Sequence, residues 1–168
     1  MKRPSIPSDD AQVAAAWTVA SAVLDPEIPV LTLADLGVLR SVERRGAHIV
    51  VKLTPTYTGC PATLAIRLDV EAALRDAGLH DACVETVLSP PWTTDEITQD
   101  GRRKLREFGI APPAEGTARR SPFAEDTVQC PRCSSVNTVR ISEFGSTACK
   151  ALWRCADCRE PFDYFKCL

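Results

Sequence analysis

Four of the eight cysteines in this 168-residue chain fall into two short pairs, Cys130-Pro-Arg-Cys133 and Cys155-Ala-Asp-Cys158. A two-residue spacing puts both sulfurs of a pair on one tight knuckle. Two knuckles together set four thiolates at the corners of a tetrahedron, the arrangement of a zinc ribbon with a structural Zn²⁺. Four thiolates leave no open position for water or substrate, so such an ion holds the fold and performs no reaction. Cys149 with Cys155 is an alternative second pair. Cys158 is preferred over Cys149 because the two-residue spacing lets both thiolates accept knuckle N–H bonds. Arg132, Arg154 and Arg159 flank the ligands and offset their negative charge. An iron–sulfur cluster is the rival occupant, since four cysteines suit one too; tetrahedral thiolate chemistry favours zinc. Cys149 and Cys167 are then left without a role.

A lone Cys60 stands in Thr58-Gly-Cys-Pro61, immediately before a proline that suits a helix start. Exposed N–H groups and the helix dipole favour a thiolate there, and Gly59 allows close backbone approach. The alternative is a cysteine packed under the loop. Asp25 and Glu27, in Asp25-Pro-Glu-Ile-Pro-Val30, are either a solvated turn or the oxygen side of a metal or partner site. His48 and His80 flank no cysteine pair. No nucleophile–base spacing, phosphate loop or nicotinamide fingerprint is legible, which argues against an independent enzyme.

Composition narrows the setting. A formal net charge of -2 gives no general nucleic-acid footprint. The apolar run Val13–Val23 is too short and too interrupted to cross a bilayer. The chain reads as cytoplasmic, where thiols stay reduced and paired cysteines favour metal over disulfide.

These residues must be positioned by a small number of elements. Ser8-Asp9-Asp10 signals a helix start, with Val13, Ala16, Trp17, Ala20 and Leu24 at helical spacing. Asp35-Leu-Gly37 leads into a strand, Val38–Glu43. Arg45-Gly46 turns the chain into a second strand marked by Ile49, Val51 and Leu53. A helix follows Pro61, with Ile66, Val70, Ala73, Leu74 and Ala77 as its stripe and Gly78 as its end. A third strand runs Ala82–Leu88, and Thr94-Asp95-Glu96 starts a last helix towards Leu105 and Phe108. The fold class is α+β: a compact α-β-β-α-β-α domain over residues 8–110, a linker over 111–127, and a small C-terminal zinc ribbon over 128–168. Strands near Thr138–Ser142, Leu152–Arg154 and Phe162–Phe165 build the ribbon. Its expected core is Val136, Val139, Ile141, Leu152, Trp153, Phe162, Tyr164 and Phe165.

Several segments together resemble a known family. Asp25-Pro-Glu-Ile-Pro-Val30, Asp35-Leu-Gly37 and Thr54-Pro-Thr-Tyr-Thr-Gly-Cys-Pro-Ala62 look like the metal–sulfur cluster assembly domain of the SufT and MIP type. Pro90-Pro-Trp-Thr-Thr-Asp-Glu-Ile97, Gly101-Arg-Arg-Lys-Leu105, Gly109-Ile-Ala-Pro-Pro113, Glu143-Phe-Gly-Ser-Thr-Ala-Cys149 and Glu160-Pro-Phe-Asp-Tyr-Phe-Lys-Cys167 extend the likeness to the PaaD family. The resemblance covers nearly the whole chain, from about residue 10. It implies an accessory, non-catalytic protein of the phenylacetyl-CoA epoxidase system in aerobic phenylacetate degradation. The expected partners are the oxygenase and reductase subunits, and the expected task is maturation of a metal centre. It further implies that Cys60 is the residue handling transient iron or an iron–sulfur cluster, with Asp25 and Glu27 in the acidic loop near it.

Overall fold

The computed structural model describes residues 10–116 and 127–166. The chain divides into two compact units, Met1–Trp92 and Thr93–Leu168.

The first unit opens with α1 (Ala11–Ala22). Asp10 caps it by accepting the N–H groups of Gln12 and Val13 at 3.0 and 3.3 Å. Ser8 and Asp9, the rest of the expected start signal, lie outside the described residues. Val13, Ala16 and Ala20 are buried, as an apolar stripe requires. Two expected stripe members depart from it. Trp17 is half-buried, and Leu24 is exposed because the helix ends at Ala22 and Val23 turns to extended geometry.

Leu24 then bridges Thr32, closing the acidic loop between them. A helix the sequence did not signal follows, α2 (Leu33–Leu36). Thr32 and Asp35 form a reciprocal capping box at its start, and Gly37 ends it in left-handed geometry with φ 74°.

Strands β1 (Leu39–Arg45) and β2 (His48–Leu53) form an antiparallel hairpin. β2 also pairs in parallel with β3 (Ala82–Thr86), giving the sheet order β1-β2-β3. A parallel pair needs a long crossover. Here it is α3 (Ala62–Asp76), which buries Ala62, Ile66, Val70 and Leu74 at four-residue steps. Ala73 and Ala77, expected in that stripe, stay outside the buried set. Central position in the sheet explains why β2 buries Ile49, Val50, Val51 and Leu53 with no clean alternation.

The second unit begins with a 3₁₀ turn at Thr94–Glu96, followed by α4 (Gln99–Glu107). The sequence suggested one continuous helix. Thr98 interrupts it: the residue is extended, with ψ 160°, and its hydroxyl caps α4 through the Gly101 N–H. Arg102 is buried, and its guanidinium donates to the carbonyls of Thr94 and Pro113.

Strand β4 (Ile110–Ala111) joins a four-stranded sheet with β5 (Thr138–Ser142), β6 (Lys150–Cys155) and β7 (Pro161–Phe165), in the order β4-β7-β6-β5. Residues 110–111 therefore pair with the ribbon. The compact units divide between Trp92 and Thr93, and not at the boundary near residue 110 expected from composition. Most of the expected linker, residues 117–126, lies outside the described residues.

The ribbon core gathers Ala111, Val128, Cys130, Ala151, Trp153, Cys155, Phe162 and Tyr164. Trp153 meets Tyr164 edge-on, with centroids 5.9 Å apart. Val136, Val139 and Ile141, expected in this core, are exposed. β5 is an edge strand, and an irregularity between Arg140 and Ser142 breaks its alternation.

Candidate metal centre

The two knuckles lie where β5 and β6 begin and end. Thr138 pairs with Cys155, so the chain before β5 and the chain after β6 meet at one end of the hairpin. Each knuckle closes in the same way. Cys130 N–H donates to the Ser135 carbonyl at 2.9 Å, and Cys155 N–H donates to the Glu160 carbonyl at 3.0 Å. The residue after the second cysteine of each pair is left-handed, Ser134 at φ 62° and Arg159 at φ 65°. That conformation is uncommon outside glycine. Its repetition marks two copies of one turn.

Asp157 ties the knuckles together. Its carboxylate accepts from the Ser135 hydroxyl at 2.5 Å and the Asn137 amide at 2.8 Å, on the opposite knuckle's side. The Ser135 and Asn137 bonds hold its carboxyl below the usual carboxylate range. Arg132, which flanks the first knuckle, reaches Glu160 beyond the second at 3.5 Å.

The sulfurs of Cys130, Cys133, Cys155 and Cys158 all lie within 4.8 Å of one another. Cys130 Sγ is 3.7 Å from Cys158 Sγ, and Cys133 Sγ is 3.6 Å from Cys155 Sγ. Tetrahedral thiolate coordination at about 2.3 Å requires sulfur–sulfur edges of about 3.8 Å. The four residues therefore fit one tetrahedrally held ion. Cys149 is not in this group; its buried sulfur sits 3.0 Å from the Thr147 hydroxyl. Cys167 lies outside the described residues.

Without an ion Cys133, Cys155 and Cys158 do not ionise alike. The Cys158 N–H, followed by that of Asp157, brings Cys155 down to about 7 against the cost of burial. At Cys133 the Ser135 N–H bond is lowering, yet burial and the three neighbouring sulfurs outweigh it and push the thiol up to about 12. Cys158 is raised as well, the Glu160 N–H being outweighed by burial and by Cys155 and Cys130. Cys155 forms its thiolate readily, and Cys133 and Cys158 follow when a cation replaces their protons.

Cys60 belongs to the first unit. It lies on the loop from β2 to α3 and is half-buried. Its N–H donates to the Tyr57 carbonyl at 3.2 Å, and its carbonyl accepts from Thr63 N–H at 3.1 Å. Gly59 is left-handed at φ 88°, a turn geometry that favours glycine. Pro61 takes the cap position of α3, with no side-chain cap, rather than its first turn. Cys60 thus immediately precedes the helix cap.

Asp25 is buried and shapes its own loop: Oδ1 accepts the N–H groups of Glu27 and Ile28 at 2.9 and 2.8 Å. Glu27 is half-buried beside it. Backbone bonds run from Val23 to Leu33, from Leu33 to Val38 and from Val38 to Thr54. They link the ends of the acidic loop to the start of the Cys60 loop. Cys60, Asp25 and Glu27 do not converge on one three-ligand group; among the described residues such a group forms in the ribbon alone. Among the described residues no helix is long and apolar enough to cross a membrane.

Comparison with known proteins agrees with this two-part construction. Residues 14–87 match the family model of an iron–sulfur cluster assembly protein, and residues 114–166 match the PaaD zinc beta ribbon domain. A protein of Escherichia coli (strain K12), provisionally named as a subunit of 1,2-phenylacetyl-CoA epoxidase, is 52% identical over 157 residues, 94% of each chain. The crystal structure of a domain of unknown function, DUF59, from Bacillus anthracis is 26% identical with a TM-score of 0.51. The match covers 56% of this chain and 92% of that one. The solution structure of Rv1466 from Mycobacterium tuberculosis, described as associated with Fe–S complex assembly and repair, is 31% identical. It covers 64% of this chain and 98% of that one, at a TM-score of 0.36.

Proposed function

The chain belongs to the PaaD family, with an N-terminal iron–sulfur assembly-type domain and a C-terminal zinc ribbon, and from that premise we propose that it matures a metal centre of the phenylacetyl-CoA epoxidase. In this reading it is a cytoplasmic, non-catalytic accessory protein. Cys60 accepts transient iron or an iron–sulfur cluster and passes it to an oxygenase or reductase subunit. Asp25 holds the acidic loop in shape, and Glu27 is its second carboxylate.

The observation that carries the reading is the division of labour among the cysteines. The ribbon's four sulfurs close on one another and leave no coordination position free. Cys60 is half-buried on a separate loop and belongs to no such group among the described residues. A thiol able to gain and lose a metal must have ligand positions left for its client, and Cys60 meets that condition.

In the ribbon the ion is zinc. Sulfur separations of 3.6 and 3.7 Å match a single tetrahedral ion, whereas a multi-iron cluster would hold the thiolates apart by its own width. Bound there, the ion supplies cross-linking of the two knuckles and no reaction chemistry.

One observation favours a second reading, a stoichiometric docking subunit: the 52% identical relative is named as part of the epoxidase itself. Copurification separates the two. Epoxidase purified in active form without this chain supports maturation. A fixed one-to-one presence that activity requires supports the docking role and overturns the maturation reading.

A further inference from the structure

At the end of the β5–β6 hairpin remote from the metal knuckles, residues 143–149 form a loop held by bonds to both neighbouring strands and to Lys166. Gly145 N–H donates to the Lys150 carbonyl at 2.7 Å, and Lys150 N–H donates back to Thr147 at 3.1 Å. Phe144 N–H reaches the Ser142 hydroxyl at 3.1 Å. The Ser146 hydroxyl donates to Asp163 Oδ2 at 2.8 Å. Lys166 Nζ donates to the Glu143 carbonyl at 2.9 Å, and Arg140 pairs with the Glu143 carboxylate at 2.7 Å. A Cβ on Gly145 would stand 2.5 Å from Asp163 Oδ1 and 3.2 Å from Lys150 Cβ, so any other residue here must displace the carboxylate that holds Ser146. Lys150 is buried beneath it, 3.9 Å from Asp163.

All this rigidity presents one side chain. Phe144 is 67% exposed, with the Lys166 ammonium 4.7 Å from its ring centroid. An exposed large aromatic on a locked loop has paid its ordering entropy before any contact forms, which is how interface anchors gain affinity. The local charge shows what it fits. Arg140 is matched by Glu143 and Lys150 by Asp163, while Lys166 has no carboxylate partner among the described residues. The tip is therefore an apolar ring beside one uncompensated cation. Ile141 and Val139, both exposed, continue the apolar surface along β5.

We propose that Phe144 is a preorganised docking anchor, which inserts into an apolar socket edged by carboxylates on a protein component of the epoxidase system. This rests on the proposed function for the partner's identity. The metal, at the opposite end of the same hairpin, fixes the strands that carry the loop.

The test uses the full metal-loaded chain and each purified epoxidase component, with affinity measured by biolayer interferometry. Phe144→Ala should bind at least about 10-fold more weakly while keeping the wild-type melting temperature and metal content. Gly145→Ala should weaken binding with the ring still present. Lys166→Glu should weaken it and reverse its salt dependence. Wild-type affinity in Phe144→Ala overturns the inference and leaves the maturation reading standing. Self-association that Phe144→Ala abolishes, with component binding intact, makes a second copy the occupant and also overturns it. Failure of the wild-type chain to bind any component contradicts this inference and the proposed function together.

Discussion

Lowering the pH should release the ribbon's ion far more steeply than dissociation of a single ligand would allow. Each proton that metal binding displaces makes apparent affinity change about tenfold per pH unit. In the metal-free chain Cys133 is pushed up to about 12 and Cys158 is raised above its ordinary value, so both are protonated near neutrality. At least these two protons must leave when the ion binds. Cys155, brought down to about 7, contributes a third as the pH falls below that value. The sign follows: protons compete with the ion, so affinity rises with pH. Between about pH 7 and about pH 6 the apparent zinc affinity should fall by at least ~100-fold, and the slope should steepen below that. Competition against a chromophoric chelator of known affinity at each pH measures it. Circular dichroism in parallel should show the ribbon strands melting with metal loss. A slope of one proton or fewer would refute the four-thiolate assignment, because no closed set of these cysteines can bind an ion while releasing so little.

Three further outcomes are expected. Cys149→Ser should retain the metal, since its sulfur sits against Thr147 and outside the four-sulfur group, whereas Cys130→Ser and Cys158→Ser should each lose it; metal analysis of the purified variants decides. Leu74→Ala, at a fully buried position of α3, should destabilise the first unit by ~2–5 kcal/mol in denaturant titration and leave the bound metal unchanged. The Arg44 guanidinium, chief among the bonds to Asp10, lowers its carboxyl to about 2. Because the folded-state value is the depressed one, the stabilisation is present above the ordinary carboxylate value and is lost as pH falls towards about 2. The melting-temperature gap between wild type and Asp10→Asn should therefore close over that window.

The knuckles were legible because their chemistry is local: two residues between sulfurs define the turn, whatever surrounds it. Which second pair binds was less legible. Cys149 and Cys158 differ in where β6 places them, at its opposite ends, and spacing carries no strand register. The hairpin and α3 were legible from alternation and four-residue periodicity. α2 was not, because a single turn shows no period; the Thr32–Asp35 capping box was its signal. The break at Thr98 was likewise hidden among good helix-start residues. Val139 and Ile141 read as core as apolar residues of a small ribbon, yet core membership depends on strand order, and β5 proved to be an edge. In the sequence the Phe144 loop stands out only through its resemblance to the PaaD family. Its rigidity comes from Asp163 and Lys166, which sequence separates widely from it and pairing brings back.

Cys60 carries the central claim, and the most direct measurement is the metal content of the epoxidase made beside it. The components should be coexpressed with the wild-type chain, with Cys60→Ala, or without the chain, then purified anaerobically. Iron, acid-labile sulfide and epoxidation are read from each preparation. The account predicts a stable Cys60→Ala protein with its zinc in place, beside epoxidase depleted in iron or sulfide and correspondingly less active. Fully metallated, active epoxidase beside Cys60→Ala would remove Cys60 from the mechanism. The same result with the chain absent would contradict maturation altogether.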